Sequence, residues 1–154
     1  MGIYLENGYC NIHYILSRGM TFNFIIGGRG TGKTFGALNE VLENRIKFCL
    51  MRRTQSQLDT IARPETSPFK AVQAHRPENW GCVPVSIGKS IYGYYKTVTD
   101  PETSKPVYED LLGYAIALST VANLRGFDLS DTELLIYDEF IPESHERALK
   151  NESD

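Results

Sequence analysis

The stretch Gly27-Gly28-Arg29-Gly30-Thr31-Gly32-Lys33-Thr34 constrains this chain more than any other feature. It satisfies the pattern G-x-x-x-x-G-K-[ST] in full and lies between two segments of different periodicity. Before it, TFNFII (21–26) is β-branched and aromatic, which predicts a buried strand. After it, KTFGALNEVLENRI (33–46) sets Phe35, Leu38, Val41, Leu42 and Ile46 at helical intervals and predicts a helix of about three turns. Glycines let the backbone wrap so that successive N–H groups point at an anion, where side chains would block the approach. The helix N-terminus adds unsatisfied amides and the positive end of its dipole. Lys33 then reaches the β- and γ-phosphates of a nucleotide, and the Thr34 hydroxyl is a ligand for Mg²⁺. Average residue usage makes an accidental match in a chain of this length roughly a one-in-two-hundred event. The whole loop, Gly27 through Thr34, is read as nucleotide-binding.

The rest of the chain suggests an α/β fold. KFCLM (47–51) predicts a short second strand closed by Arg52 and Arg53, and TQSQLDTIA (54–62) a helix capped by Thr54 and ended by Pro64. Residues 64–82, with Pro64, Pro68 and Pro77, read as an irregular connection. VPVSI (83–87), SIYGYYKTV (90–98) and VYEDLLGYAIALST (107–120) predict a small antiparallel meander leading into a core strand near 114–119. Polar ANLRGFDLSD (122–131) follows, and TELLIYDEF (132–140) predicts another apolar strand with an acidic end. A strand, glycine loop, helix and strand at the start and a buried strand at the end argue for a largely parallel sheet flanked by helices, in one domain of residues 1–154.

The acidic end carries the second piece of chemistry. In a parallel sheet the C-terminal end of a strand faces the edge where ligands bind. Asp138 is the expected metal residue there, and Glu139 the base or water-positioning residue. The second carboxylate extends the reading from nucleotide binding to hydrolysis. Arg29 inside the loop, Arg52 and Arg53 after the second strand, and Arg125 ahead of the acidic strand are candidates to sense or stabilise charge on the transferring phosphate. An arginine finger contributes about 10³–10⁵ in rate. The expected catalytic set is Glu139, Lys33 and Arg29, with Thr34 and Asp138 on the metal.

Composition narrows the alternatives. With 42% hydrophobic and 23% charged residues the chain is ordinary globular material, and a net charge of −3 gives no global reason to bind nucleic acid. Lys89, Lys96 and Lys105 are the local candidates for phosphate contact, but Asp100, Glu102, Glu109 and Asp110 lie close by. Cys10, Cys49 and Cys82 form no CxxC pair, and His13, His75 and His145 have no metal-ligand spacing. No apolar run approaches about 18 residues, so the expectation is a soluble chain in a reducing compartment, without a membrane partner.

Taken in order, MTFNFIIGGRGTGKTFGAL, FCLMRRTQSQLD, GYAIALST and LRGFDLSDTELLIYDEF resemble the ATPase domain of phage DNA-packaging motors. The resemblance is to the encapsidation ATPases of small tailed phages, with kinship to terminase large subunits, and covers about residues 10–142. It implies an ASCE-type P-loop NTPase fold, ATP and Mg²⁺ as ligands, and a homo-oligomeric ring docked on a capsid portal. ATP-driven translocation of double-stranded DNA would then take place in the host cytoplasm, transiently on the procapsid. By position it assigns phosphate binding to Lys33 and Thr34, metal to Asp138 and the catalytic glutamate to Glu139. The segment YCNIHYILSRG would lie near the adenine, with Tyr9 or Tyr14 flanking the base. Such ATPases continue beyond the acidic strand, so the C-terminal part of the usual sheet is expected to be missing from a chain ending at Asp154. DNA affinity of the isolated chain is expected to be weak. Two other readings compete: a nucleotide-binding regulatory or assembly module without steady turnover, and a P-loop kinase, which has no need of Glu139.

Overall fold

The computed structural model describes residues 2–78, 80–124 and 126–141. They form two compact units that divide after Ile46.

In the first unit the chain opens with a bridge between Tyr4 and Cys10, followed by helix α1 (Ile12–Leu16). Asn11 caps α1 by accepting from the Tyr14 N–H at 3.1 Å. The glycine loop then leads into α2 (Lys33–Glu43), where Leu38 and Val41 are fully buried, as the helical spacing predicts. The strand expected over 21–26 is not formed. The segment joins no sheet, and Phe22, Phe24 and Ile26 are 78%, 76% and 76% exposed. A β-rich composition describes a fit to a pleated, half-buried surface, and a strand exists only where a partner supplies its ladder.

The second unit is built on a five-stranded sheet with the order β2-β3-β4-β1-β5. Its strands are β1 (Phe48–Arg52), β2 (Trp80–Gly88), β3 (Ile91–Thr99), β4 (Pro106–Ala117) and β5 (Leu134–Tyr137). The sheet is mixed rather than largely parallel: β1 pairs parallel with β4 and β5, while β2, β3 and β4 pair antiparallel. The reason lies in the length of β4. Its last five residues, Gly113–Ala117, take Phe48–Arg52 as partners, while the strand as a whole pairs with β3. The meander, β2-β3-β4, therefore supplies three of the five strands of the main sheet.

Helix α3 (Gln55–Ile61) starts at Thr54, whose hydroxyl accepts from the Gln57 N–H while the Gln57 side chain accepts from the Thr54 N–H. This reciprocal capping fixes the chain's exit from β1. Residues 64–82 are not wholly irregular, since α4 (Phe69–Gln73) forms there with Phe69 and Val72 fully buried. On one face of the sheet Phe48, Tyr94 and Phe69 meet with ring centroids 4.7–6.1 Å apart. The Tyr94 hydroxyl donates to Ile61 O at 2.8 Å. Strand alternation sends Cys49, Ile91, Tyr114 and Ile116 to another cluster, joined by Leu124 and Leu129. A 3₁₀ helix (Leu118–Leu124) continues from β4.

Candidate functional site

The glycine loop is built from conformations that only glycine adopts readily. Gly30 and Gly32 have φ of +77° and +74°. Gly32 is the N-cap of α2 and supplies no capping side chain, and a helix N-terminus of this kind favours an anion. The Lys33 ammonium folds back over the loop and donates to Gly27 O at 2.9 Å, Gly28 O at 2.6 Å and Thr31 Oγ1 at 3.0 Å. Thr31 Oγ1 in turn donates to Gly28 O at 3.0 Å. Gly27, Gly28, Thr31 and Lys33 are thus brought together, with Arg29 exposed in the loop and Thr34 the second residue of the helix.

The N-terminal segment braces this loop. The Cys10 N–H donates to Thr31 O at 3.0 Å. A Cβ on Gly32 would lie 2.9 Å from Tyr9 Cγ, so the Tyr9 ring rests on that glycine. Burial raises the pKa of the Cys10 thiol, opposed by the Lys33 ammonium. Beside the loop opens a cavity of about 380 Å³. Tyr4, Ile15, Asn23 and Phe24 line it, and Gly27 and Lys33 reach it from the loop. It has the size and mixed lining of a small-ligand pocket. Tyr9 and Tyr14, expected to flank a base, are not among its lining residues. Tyr4 and Asn23 are, and sequence reasoning missed both. An exposed-looking aromatic in the first few residues gives no signal of its own.

The second unit holds the carboxylates. The parallel register Met51↔Tyr137 brings the ends of β1 and β5 level, and Asp138 N donates to Met51 O at 3.2 Å. Arg52 lies across the pair, with Nη2 3.2 Å from Asp138 Oδ2 and Nη1 2.7 Å from Glu139 Oε2. Its side chain is 7% exposed, against 19% for Asp138 and 66% for Glu139. Arg52 Nε is buried without a hydrogen-bond partner among the described residues. Glu139 has φ of +54°, a left-handed conformation rare for a side chain of this kind, and its N–H donates to Asp138 Oδ1 at 3.1 Å. Arg53 is 1% exposed. Arg125 lies outside the described residues.

Around the same strand ends, Gln55 N donates to Ser119 Oγ at 3.2 Å and Thr120 Oγ1 donates to Gln55 Oε1 at 3.1 Å. These contacts tie the start of α3 to the 3₁₀ helix. Among the candidate lysines of the meander, Lys96 is ion-paired with Glu109 at 2.6 Å. Among the described residues no helix is long and apolar enough to cross a membrane, and no group of three or more His, Cys, Asp or Glu is arranged to hold a metal ion. No family model, curated protein or solved structure matches the chain.

Proposed function

We propose that this chain binds ATP through Gly27–Thr34 and hydrolyses it as the ATPase domain of a viral motor that packages double-stranded DNA. The observation that carries the reading is the loop. Left-handed Gly30 and Gly32, a start to α2 with no capping side chain and an ammonium folded over the loop support the reading of an anion seat. The motor part rests on the order of sequence motifs that resemble packaging ATPases, and brings with it a homo-oligomeric ring and a capsid portal as partners.

In this reading Lys33 exchanges the carbonyls of Gly27 and Gly28 for oxygens of the β- and γ-phosphates, and the amides of the loop and the first turn of α2 donate to the same group. Thr34 in the loop and Asp138 at the end of β5 are the residues of their respective units that would hold Mg²⁺. The donor chemistry fits the ion, which typically takes one or two carboxylates and leaves its other positions to phosphate and water. When bound, the ion would supply neutralisation of charge on the phosphate oxygens. Glu139 is the residue that would orient the attacking water and accept its proton. Arg29, exposed in the loop, is the candidate to stabilise the charge that builds on the transferring group. A second reading, nucleotide binding without steady turnover, is favoured by one observation: Arg52 engages both carboxylates that hydrolysis requires.

The test compares nucleotide binding and phosphate release for wild type, Lys33→Ala and Glu139→Gln. The expected result is affinity lowered about tenfold to a hundredfold in Lys33→Ala, and in Glu139→Gln intact binding with turnover slowed by about 10²-fold or more. Equal affinity in Lys33→Ala would overturn the site. Binding without release in wild type would favour the second reading.

A further inference from the structure

We propose that Arg52 is an exchangeable counter-cation for Asp138 and Glu139, a positioning residue that a divalent metal must displace before it binds. The inference rests on the reading of these carboxylates as the metal-binding and water-orienting pair.

Three observations carry it. First, the guanidinium is nearly buried yet divided between two carboxylates, one nitrogen to each, at 3.2 and 2.7 Å. A guanidinium placed only to brace one acid would present its planar fork to both oxygens of that acid. Second, Nε is buried with no partner among the described residues. A buried donor left unsatisfied disfavours the arrangement, so this contact is one the protein can give up for a better one. Third, Glu139 is held with φ of +54° while its carboxylate meets Arg52. Left-handed backbone at a non-glycine residue persists only where surrounding contacts impose it, and the Arg52 ion pair is such a contact.

Charge then dictates competition. Asp138 and Glu139 together carry two negative charges and Arg52 returns one positive. A divalent ion that ligates the same oxygens would sit within a few ångströms of the guanidinium, in a partly buried site where like charges repel strongly. Metal and Arg52 cannot both hold the pair. Release of Arg52 frees Glu139 to leave the left-handed conformation, so metal binding and orientation of the glutamate are coupled through one side chain.

The test is titration of the full chain with Mn²⁺ alone, following free Mn²⁺ by electron paramagnetic resonance, with circular dichroism as the check on folding. Arg52→Gln is expected to bind Mn²⁺ on the order of tenfold more tightly than wild type. Arg52→Lys, which keeps the charge but loses the fork, is expected to return towards wild-type affinity, and Asp138→Asn to lose binding. Removing a merely structural ion pair would leave affinity unchanged or lower it. Unchanged or weaker binding in folded Arg52→Gln, with binding still lost in Asp138→Asn, overturns the counter-cation role alone. Binding that survives Asp138→Asn, or no binding by any variant, overturns the metal role of the pair and this proposal with it. Should Arg52→Gln fail to fold, the wild-type chain decides. Phenylglyoxal modification of Arg52, read by peptide mass spectrometry, is expected to rise severalfold when Mn²⁺ saturates, and an unchanged yield at saturation overturns the proposal.

Discussion

Lys33 donates to three oxygens of its own loop, and this self-contact explains how a compact cation stays ordered beside glycines that offer it no side-chain partner. Replacing it with alanine removes a charge-assisted contact to phosphate worth about 1.5–3 kcal/mol, so nucleotide affinity is expected to fall about tenfold to a hundredfold in a fluorescence titration. Gly32→Ala tests the loop's backbone instead of its charge. The new methyl group would meet Tyr9 Cγ at 2.9 Å on a residue with φ of +74°, and the left-handed conformation adds about 1–2 kcal/mol of strain. Thermal melting is expected to drop accordingly, with weaker nucleotide binding, and an unchanged midpoint would contradict the loop geometry described here. At this scale the sequence was most legible where a candidate site lies in a contiguous run. Gly27 to Thr34 needs no long-range information, because each residue's role follows from its neighbours. Tyr4 and Asn23 were illegible, since only the fold of the N-terminal segment brings them to the cavity wall. The contact of Arg52 with Asp138 was equally hidden, because it depends on a strand register that periodicity does not encode.

Elements whose ends are marked by local chemistry appeared where expected. Thr54 caps α3 through the reciprocal bonds with Gln57, and Thr54→Ala is expected to lower unfolding free energy by about 1 kcal/mol in urea denaturation. The two residues between β2 and β3 are Lys89 and Ser90, and Ser90 has φ of +63°. Ser90→Gly relieves that conformation and is expected to stabilise the chain by up to about 1 kcal/mol, with a loss of stability as the contrary result. The segment 21–26 behaved otherwise. Its residues are strand-formers by type, but a strand is a relation between two segments, and its partner lies beyond any window of sequence. The acidic strand was recognisable, though β5 has only four residues and Leu135 in it is 54% exposed.

For the molecule as a whole, charge and burial set the response to solution conditions. Burial pushes the Cys49 thiol up from 9.0 to about 12, while Cys82 and the Tyr94 hydroxyl are also raised by burial. A group whose folded pKa is raised stabilises the chain fully below its unfolded pKa and progressively less as pH climbs to the folded one. Stability is therefore expected to decline between pH 9.0 and about 12, and Cys49→Ala to flatten part of that decline in urea midpoints taken across the range. Given a net charge of −3 and the Lys96–Glu109 ion pair, DNA affinity of the isolated chain is expected to be weak and steeply salt-dependent. Fluorescence anisotropy with duplex DNA would refute this by detecting tight binding at about 0.15 M salt. The sequence already contained the glycine loop, the helix behind it, the capped start of α3 and the acidic end of β5, because each arises from interactions between near neighbours. Tertiary structure alone chose the mixed sheet, left residues 21–26 out of any ladder and set Arg52 on both carboxylates. Those outcomes depend on which distant segments pair and in what register, and such non-local choices are settled only when the whole chain packs.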